Sequence, residues 1–323
     1  NPDNPITGEV WYNDTDNVLK FQYPNVTSAG SWRTGANLNT ARTQTTGSGA
    51  SSTSALAFGG EAPPRTDATE LYDGTSWTEV NNLTTARQNL AGAGTATAAV
   101  AMGGTDTGIT DKTEMWNGTN WTEVNDLNTA RTALGGTGAT NTASLAFGGN
   151  TPPVSALTEN WNGTNWTEVG DLNTARQYVR GAGTNTSALA VGGNPYPSAA
   201  VTESYNGTNW TEITDLNTPR ERVAGFGADN TSALIFGGLV PGSPRSVDTE
   251  LWNGSSWTEQ NNLATGRSLM GSSQAASQSS GLAFGGGTPS PSALTEEWTG
   301  AGAPIGAWIT ANSLNTARGS QNQ

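Results

Sequence analysis

The chain has 323 residues and a formal net charge of −13, from 14 Lys and Arg against 27 Asp and Glu. That balance repels nucleic acid and anionic membrane surfaces. The absence of His and Cys removes disulfides, thiolate nucleophiles, the usual zinc and copper ligand sets and the commonest general base. No run approaches the roughly 18 apolar residues of a membrane-crossing helix, so membrane insertion is not expected, and nothing calls for a cofactor. The first residues show neither a basic n-region nor an apolar h-region.

In chain order, the N-terminal segment reads as three strands: Gly8 to Tyr12, Val18 to Tyr23 and the stretch around Ser31-Trp32. The turn Asp14-Thr15-Asp16-Asn17 lacks the Gly and distal Glu of a calcium loop, which favours a solvated turn over a metal site. From Arg42 onward the chain repeats. Gly-Gly pairs end small apolar runs at Gly59, Gly103, Gly148, Gly192, Gly237 and Gly285, with spacings of 44, 45, 44, 45 and 48. A Trp in the context Trp-Thr-Glu stands at Trp77, Trp121, Trp166, Trp210 and Trp257, five residues after Tyr72, Trp116, Trp161, Tyr205 and Trp252. Trp32 and Trp308 extend that series in altered contexts, and an Arg recurs at Arg42, Arg87, Arg131, Arg176, Arg220, Arg267 and Arg318.

Each unit reads as four short strands without helical periodicity. In the third unit these are a Gly-rich run through Leu134-Gly135-Gly136, then Ser144 to Phe147, then Leu157 to Trp161, and, after the Asn162-Gly163-Thr164-Asn165 turn, Trp166 to Val169. Small residues in the first strand suit a crowded axis where sheets converge. The aromatic residues suit the wider periphery.

The Gly-Gly pair after an apolar strand, the aromatic before a turn such as Tyr72-Asp73-Gly74, the Trp five residues on and the Arg about ten later resemble the kelch repeat. The resemblance spans about Trp32 to Arg318 and implies an all-β, kelch-like β-propeller occupying residues 1–323 as one domain. Seven four-stranded blades are expected. Six are complete, at 42–77, 87–121, 131–166, 176–210, 220–257 and 267–308, and a composite seventh is closed by 1–32 and 318–323, which removes exposed sheet edges.

Two explanations stand for the recurring Arg87, Arg131, Arg176, Arg220 and Arg267 with Glu70, Glu114, Glu159, Glu203 and Glu250. They form either a ligand-binding ring of charges or, preferred for its blade-by-blade recurrence, buried Arg-carboxylate pairs holding each blade together. The Trp series could form a sugar-stacking platform, but one per blade favours a core between blades. Tyr12, Tyr178 and Tyr196 lie off the repeat markers and are freer for function. Sequons such as Asn117-Gly118-Thr119 and Asn120-Trp121-Thr122 ride on the copied turn, and turn chemistry accounts for them without glycans.

The loops after each Gly-Gly, Glu61 to Ala68, Thr105 to Lys112, Asn150 to Leu157, Asn194 to Val201, Leu239 to Asp248 and Gly287 to Leu294, differ in every unit. They are expected on one face, with Arg65, Lys112, Tyr196 and Arg245 as the chemically distinct candidates for binding, against the alternative that they are unconstrained surface loops. The expected function is non-enzymatic display or adhesion, through blade loops, to a protein or cell-surface glycan, with the chain either a homo-oligomer or attached to a larger assembly. Gly8 to Lys20 resembles a strand-turn-strand of phage tail-fibre proteins, and the Thr/Asn/Gly-rich array resembles marine bacteriophage structural proteins, implying a virion or extracellular surface. The alternative is a kelch-type interaction scaffold. Galactose oxidase shares the kelch-like propeller, but its copper site needs His and its cofactor needs Cys, so that chemistry does not carry over.

Overall fold

The computed structural model describes residues 10–13, 18–21, 29–240, 242 and 244–301. The chain divides into two units, one formed by 1–30 with 300–323, the other by 31–299. In the first, Val10–Asn13 pairs antiparallel with Val18–Phe21, matching two of the expected N-terminal strands. Tyr12 lies on the first of them; the Asp14 to Asn17 turn, Trp308 and Arg318 lie outside the described residues.

The second unit is a β-propeller of six four-stranded antiparallel sheets. Its only helical element among the described residues is the short turn Ser198–Ala200. Blade 3 shows the design: Gly135–Thr140 is innermost, followed by Ala143–Phe147, Thr158–Trp161 and outermost Trp166–Glu168. The hairpin between the last two strands is shaped by a side chain: Asn162 Oδ1 accepts from the N–H groups of Thr164 (2.9 Å) and Asn165 (2.8 Å). Asn117, Asn206 and Asn253 do the same, as does Asp73, whose carboxyl the Ser76 and Thr75 amides hold below its usual range. The sequon asparagines therefore have a turn-forming task of their own.

Six apolar clusters hold the ring, each filled from two adjacent blades. Between blades 2 and 3, Val100 and Met102 meet Leu134, Trp161 and Trp166. A buried Trp removes ~150–250 Å² from water, on the order of 4–6 kcal/mol each at ~25 cal/mol/Å². Near the axis the close approach demands glycine: a Cβ on Gly47 would lie 2.4 Å from the Phe284 ring of the neighbouring blade.

The expected seventh blade is absent from this unit, and the sixth is not completed by Trp308. Gly271–Ser272, Ser280–Phe284 and Thr295–Thr299 take Ser31–Thr34 as their outer strand, with Trp32 opposite Trp298. Elsewhere the paired aromatics are five residues apart, as in Trp116 opposite Trp121, because a short hairpin joins them. Trp308 stands ten residues beyond Trp298, too far for that hairpin. The vacant edge is filled by the N-terminal strand, and the ring closes without a further sheet. Trp32 behaves as an ordinary outer Trp: it stacks against Trp298 at 5.2 Å, meets Phe236 at 4.7 Å and donates from Nε1 to Thr249 Oγ1.

The closing strand adds a polar tie. Arg33 pairs with Glu297, and Tyr72 of blade 1 donates its hydroxyl to the same carboxylate at 2.8 Å. Burial, and then the Glu297 hydrogen bond, push the Tyr72 phenol up to about 12.

Trp32→Ala should destabilise the propeller by roughly 3 kcal/mol, the range for truncating a packed Trp, read from the urea midpoint; an unchanged midpoint would show that the ring closes without this strand. Folding raises the Tyr72 pKa, so the folded state keeps a proton that an unfolded Tyr loses above about pH 10. The resulting stability is complete below that pH and is lost as pH rises towards about 12. Tyr72→Phe should flatten the alkaline fall in stability across that window, and an equally steep fall in the variant would refute the linkage.

Candidate functional site

The repeated Arg and Glu residues are internal. Arg131 enters blade 3 with its side chain wholly buried and donates from Nη2 to Glu159 Oε1 at 2.7 Å and from Nη1 to the carbonyls of Leu157 (2.6 Å) and Gly148 (3.2 Å). Glu159 Oε2 accepts from the Asn128 amide N–H at 2.7 Å. The same pair is made by Arg42 with Glu70, Arg87 with Glu114, Arg176 with Glu203 and Arg220 with Glu250. Arg267 completes the set with Glu296, which sequence reading passed over although Thr295-Glu296-Glu297-Trp298 carries it two residues before the aromatic. Burial, only partly offset by the carboxylate, holds Arg42, Arg87, Arg131, Arg176 and Arg267 below the ordinary arginine range. With both partners out of solvent, these pairs cannot be the charge ring that a ligand would meet.

The outer Trp residues are equally committed. Trp77, Trp121, Trp166 and Trp210 are buried, and each donates from Nε1 to the threonine that starts the third strand of the preceding blade: Thr295, Thr69, Thr113 and Thr158. Trp257 departs from this, donating to the Thr214 carbonyl and leaving Thr202 Oγ1 buried without a partner.

What the ring leaves over gathers on one face. The residue after each Gly-Gly bridges to the residue after the repeat Arg: Glu61 to Thr43, Thr105 to Gln88, Asn150 to Thr132, Asn194 to Gln177, Leu239 to Glu221 and Gly287 to Ser268. All six variable loops therefore open where the chain turns into the axial strands. The Gly-Gly pair permits this turn, since Gly60 has φ +108° and a Cβ there would lie 2.7 Å from the Thr43 carbonyl.

One residue further on, every blade holds a non-glycine in the left-handed region: Gln44, Asn89, Ala133, Tyr178, Arg222 and Leu269, with φ between 52° and 57°. This conformation costs ~1–2 kcal/mol per L-residue and persists because the backbone is tied from blade to blade. Asn89 N–H donates to the Gln44 carbonyl (3.1 Å), Ala133 to Asn89 (2.9 Å), Tyr178 to Ala133 (2.7 Å) and Leu269 to Arg222 (3.1 Å). All six residues line the mouth of an axial cavity of about 70 Å³. At the rim the Arg222 guanidinium lies 4.6 Å from the Tyr178 ring centroid and 3.5 Å from Glu221.

Three residues break the small-residue rule of the inner strands: Phe226, which packs into the core between blades 5 and 6, and two that line the cavity. Arg180 stands where the other blades have Thr46, Ala91, Gly135, Ala224 and Gly271, and Gln274 stands where they have glycine. Arg180 donates from Nε (3.0 Å) and Nη2 (2.8 Å) to the Gly225 carbonyl and from Nη2 to Ser272 Oγ. Gln274 donates to the Gly136 carbonyl.

The four loop candidates sit on the expected face but on four different blades, and the fold does not bring them together. Arg65 is exposed. Lys112 reaches back to Asp106 (3.4 Å) and Thr85 (3.3 Å). Arg245 donates from Nε to Ser268 Oγ of the next blade at 3.2 Å. Tyr196 projects from its loop with 68% of its surface exposed. Sequence reading singled out Tyr178 but missed Arg180, Arg222 and Gln274. Aligning the six units position by position would have exposed them, as charged or amide residues where the other blades carry small ones or vary freely.

No family model matches the chain, and no curated protein matches it. Among the described residues no group of three His, Cys, Asp or Glu side chains is placed to hold a metal ion, and no helix is long and apolar enough to cross a membrane.

Arg131→Met strands a buried carboxylate and should cost about 3–5 kcal/mol. Adding Glu159→Leu should restore part of that loss in chemical denaturation. A double variant as unstable as the sum of the singles would show that the two residues do not act as a pair.

Proposed function

We propose that this protein is a non-enzymatic binding and display module, kelch-like in its repeat, which engages a protein or cell-surface glycan through the face carrying the loops after Gly-Gly. One observation carries this reading: the Arg, Glu, aromatic and Gly-Gly residues constant from blade to blade are buried in the ring and the constant exposed ones form the outer hairpins, whereas the loops that differ open on the side of one mouth of the axis. Constant residues are needed for closure, and a surface freed from that requirement is where recognition chemistry can be placed.

Tyr196 is the strongest single anchor. A large ring with an apolar body and a polar tip, held out between two prolines, is the kind of group that dominates the energetics of a protein or glycan interface. Arg245 adds charge on the loop of the next blade and Arg65 on a loop three blades away, in a protein that is otherwise acidic. Binding rather than catalysis fits the carboxylates of the repeat, whose oxygens are taken up by arginine and backbone N–H groups. In this reading the chain sits on a virion surface, which the resemblance of its Thr/Asn/Gly-rich array to phage structural proteins supports.

Exchanging Asn194 to Val201 and Leu239 to Asp248 for Gly/Ser segments should leave the propeller folded by circular dichroism and abolish attachment to host cells or partner protein. Attachment at the wild-type level by the folded variant would overturn the loop-face reading. Mass spectrometry of purified particles should find the chain in the virion; its presence only in the soluble lysate would overturn the display reading.

A further inference from the structure

The interior of the axis offers a second kind of site, independent of the loops. Arg180 is the departure from repeat chemistry with the largest electrostatic consequence. Its guanidinium is partly buried against the inner strands yet has no carboxylate beside it among the described residues; its acceptors are a backbone carbonyl and a serine hydroxyl. Burial alone lowers its pKa, to about 10, so it remains charged at neutral pH. Holding a partly buried cation without a counter-charge carries a desolvation cost, and the fold does not require it, since Ala91 and Ala224 occupy the same register in two other blades.

Arg180 Nη1 and the side-chain amide of Asn89, on two residues that line the cavity, have no acceptor among the described residues, while Arg222 Nε and Gln274 Oε1 on two other lining residues are buried without a hydrogen-bond partner. The charge available is single, because Arg222 at the rim already has Glu221 at 3.5 Å and stacks on Tyr178. The cavity, about 70 Å³ and open at its rim, has room for a carboxylate with a short tail. The net charge of −13 further disfavours a multiply charged anion.

We propose that the axial cavity beside Arg180 binds a small monocarboxylate, with Arg180 Nη1 and the Asn89 amide donating to its two oxygens. The guanidinium supplies a charge-assisted hydrogen bond of the stronger class, and the ring of left-handed residues frames the entrance. The cavity provides no group to transform the ligand, so occupancy stabilises the propeller by mass action.

The test is calorimetric titration of sodium acetate into the whole protein at constant ionic strength, with sodium chloride and sodium phosphate as competitors. Saturable one-site heat is expected, with a rise in melting temperature on adding acetate, and neither competitor should displace it. Arg180→Ala should fold and lose at least tenfold in affinity. Asn89→Ala, which places at that position the residue Ala133 already holds in the same conformation, should lose several-fold. No saturable heat in the wild type, full displacement by chloride or phosphate, or undiminished binding by folded Arg180→Ala would each overturn the proposal. Should Arg180→Ala fail to fold, Asn89→Ala and the side-chain Nε–Cζ resonances of arginine-labelled wild type decide it: an acetate-dependent shift of one arginine supports the site, and no shift refutes it. Loop exchange and acetate binding fail separately, so this result does not depend on the attachment reading.

Discussion

A buried arginine joins two blades at once, through its side chain and its main-chain carbonyl, and the closed ring depends on that junction. The side chain of Arg131 binds its own blade through Glu159 and two carbonyls, while its main-chain carbonyl accepts the Gly104 N–H of the preceding blade at 2.8 Å. The same backbone bond runs from Gly60 to Arg87, Gly149 to Arg176, Gly193 to Arg220 and Gly238 to Arg267, and the circle is completed by Gly286 to Arg42. Burying six charged pairs is not in itself a source of stability. It makes each pair intolerant of misregister, because a displaced blade would leave a charge enclosed and unmatched.

The other packing features follow from this fixed spacing. Adjacent sheets approach closely enough at the axis that the inner strands are made mostly of small residues, and they diverge outward to where paired aromatics help fill the gap. The outer Trp indoles then bond across the gap to threonines of the preceding blade. Core, seam and turn therefore consume the repeated residues, and chemical individuality is confined to the loops, the rim and the two axial intruders, Arg180 and Gln274.

Much of this was legible in the residues. The period, the four strands per unit, the hairpin turns and the Arg-Glu pairing all rest on contacts within one repeat, where chain spacing is a reliable guide to proximity. The blade count was not, because it turns on one pairing, Trp298 with Trp32, between residues near opposite ends of the chain. Counting markers along the chain assigned Trp308 to the sixth blade and left Trp32 for a seventh. The axial cavity was hidden for a related reason: Arg180, Gln274, Asn89 and Arg222 come from four separate blades and share a lining only after the ring has closed.

The sequence by itself determined the propeller class, the make-up of a blade and the separation of constant from variable positions, since each follows from local periodicity, turn chemistry and residue size. Tertiary structure alone decided that there are six blades, that the N-terminal strand closes the last of them, and which variable residues meet at the axis. Those outcomes depend on the geometry of closure, in which the twist and packing of every sheet together fix how many blades complete the circle, and no single repeat carries that information.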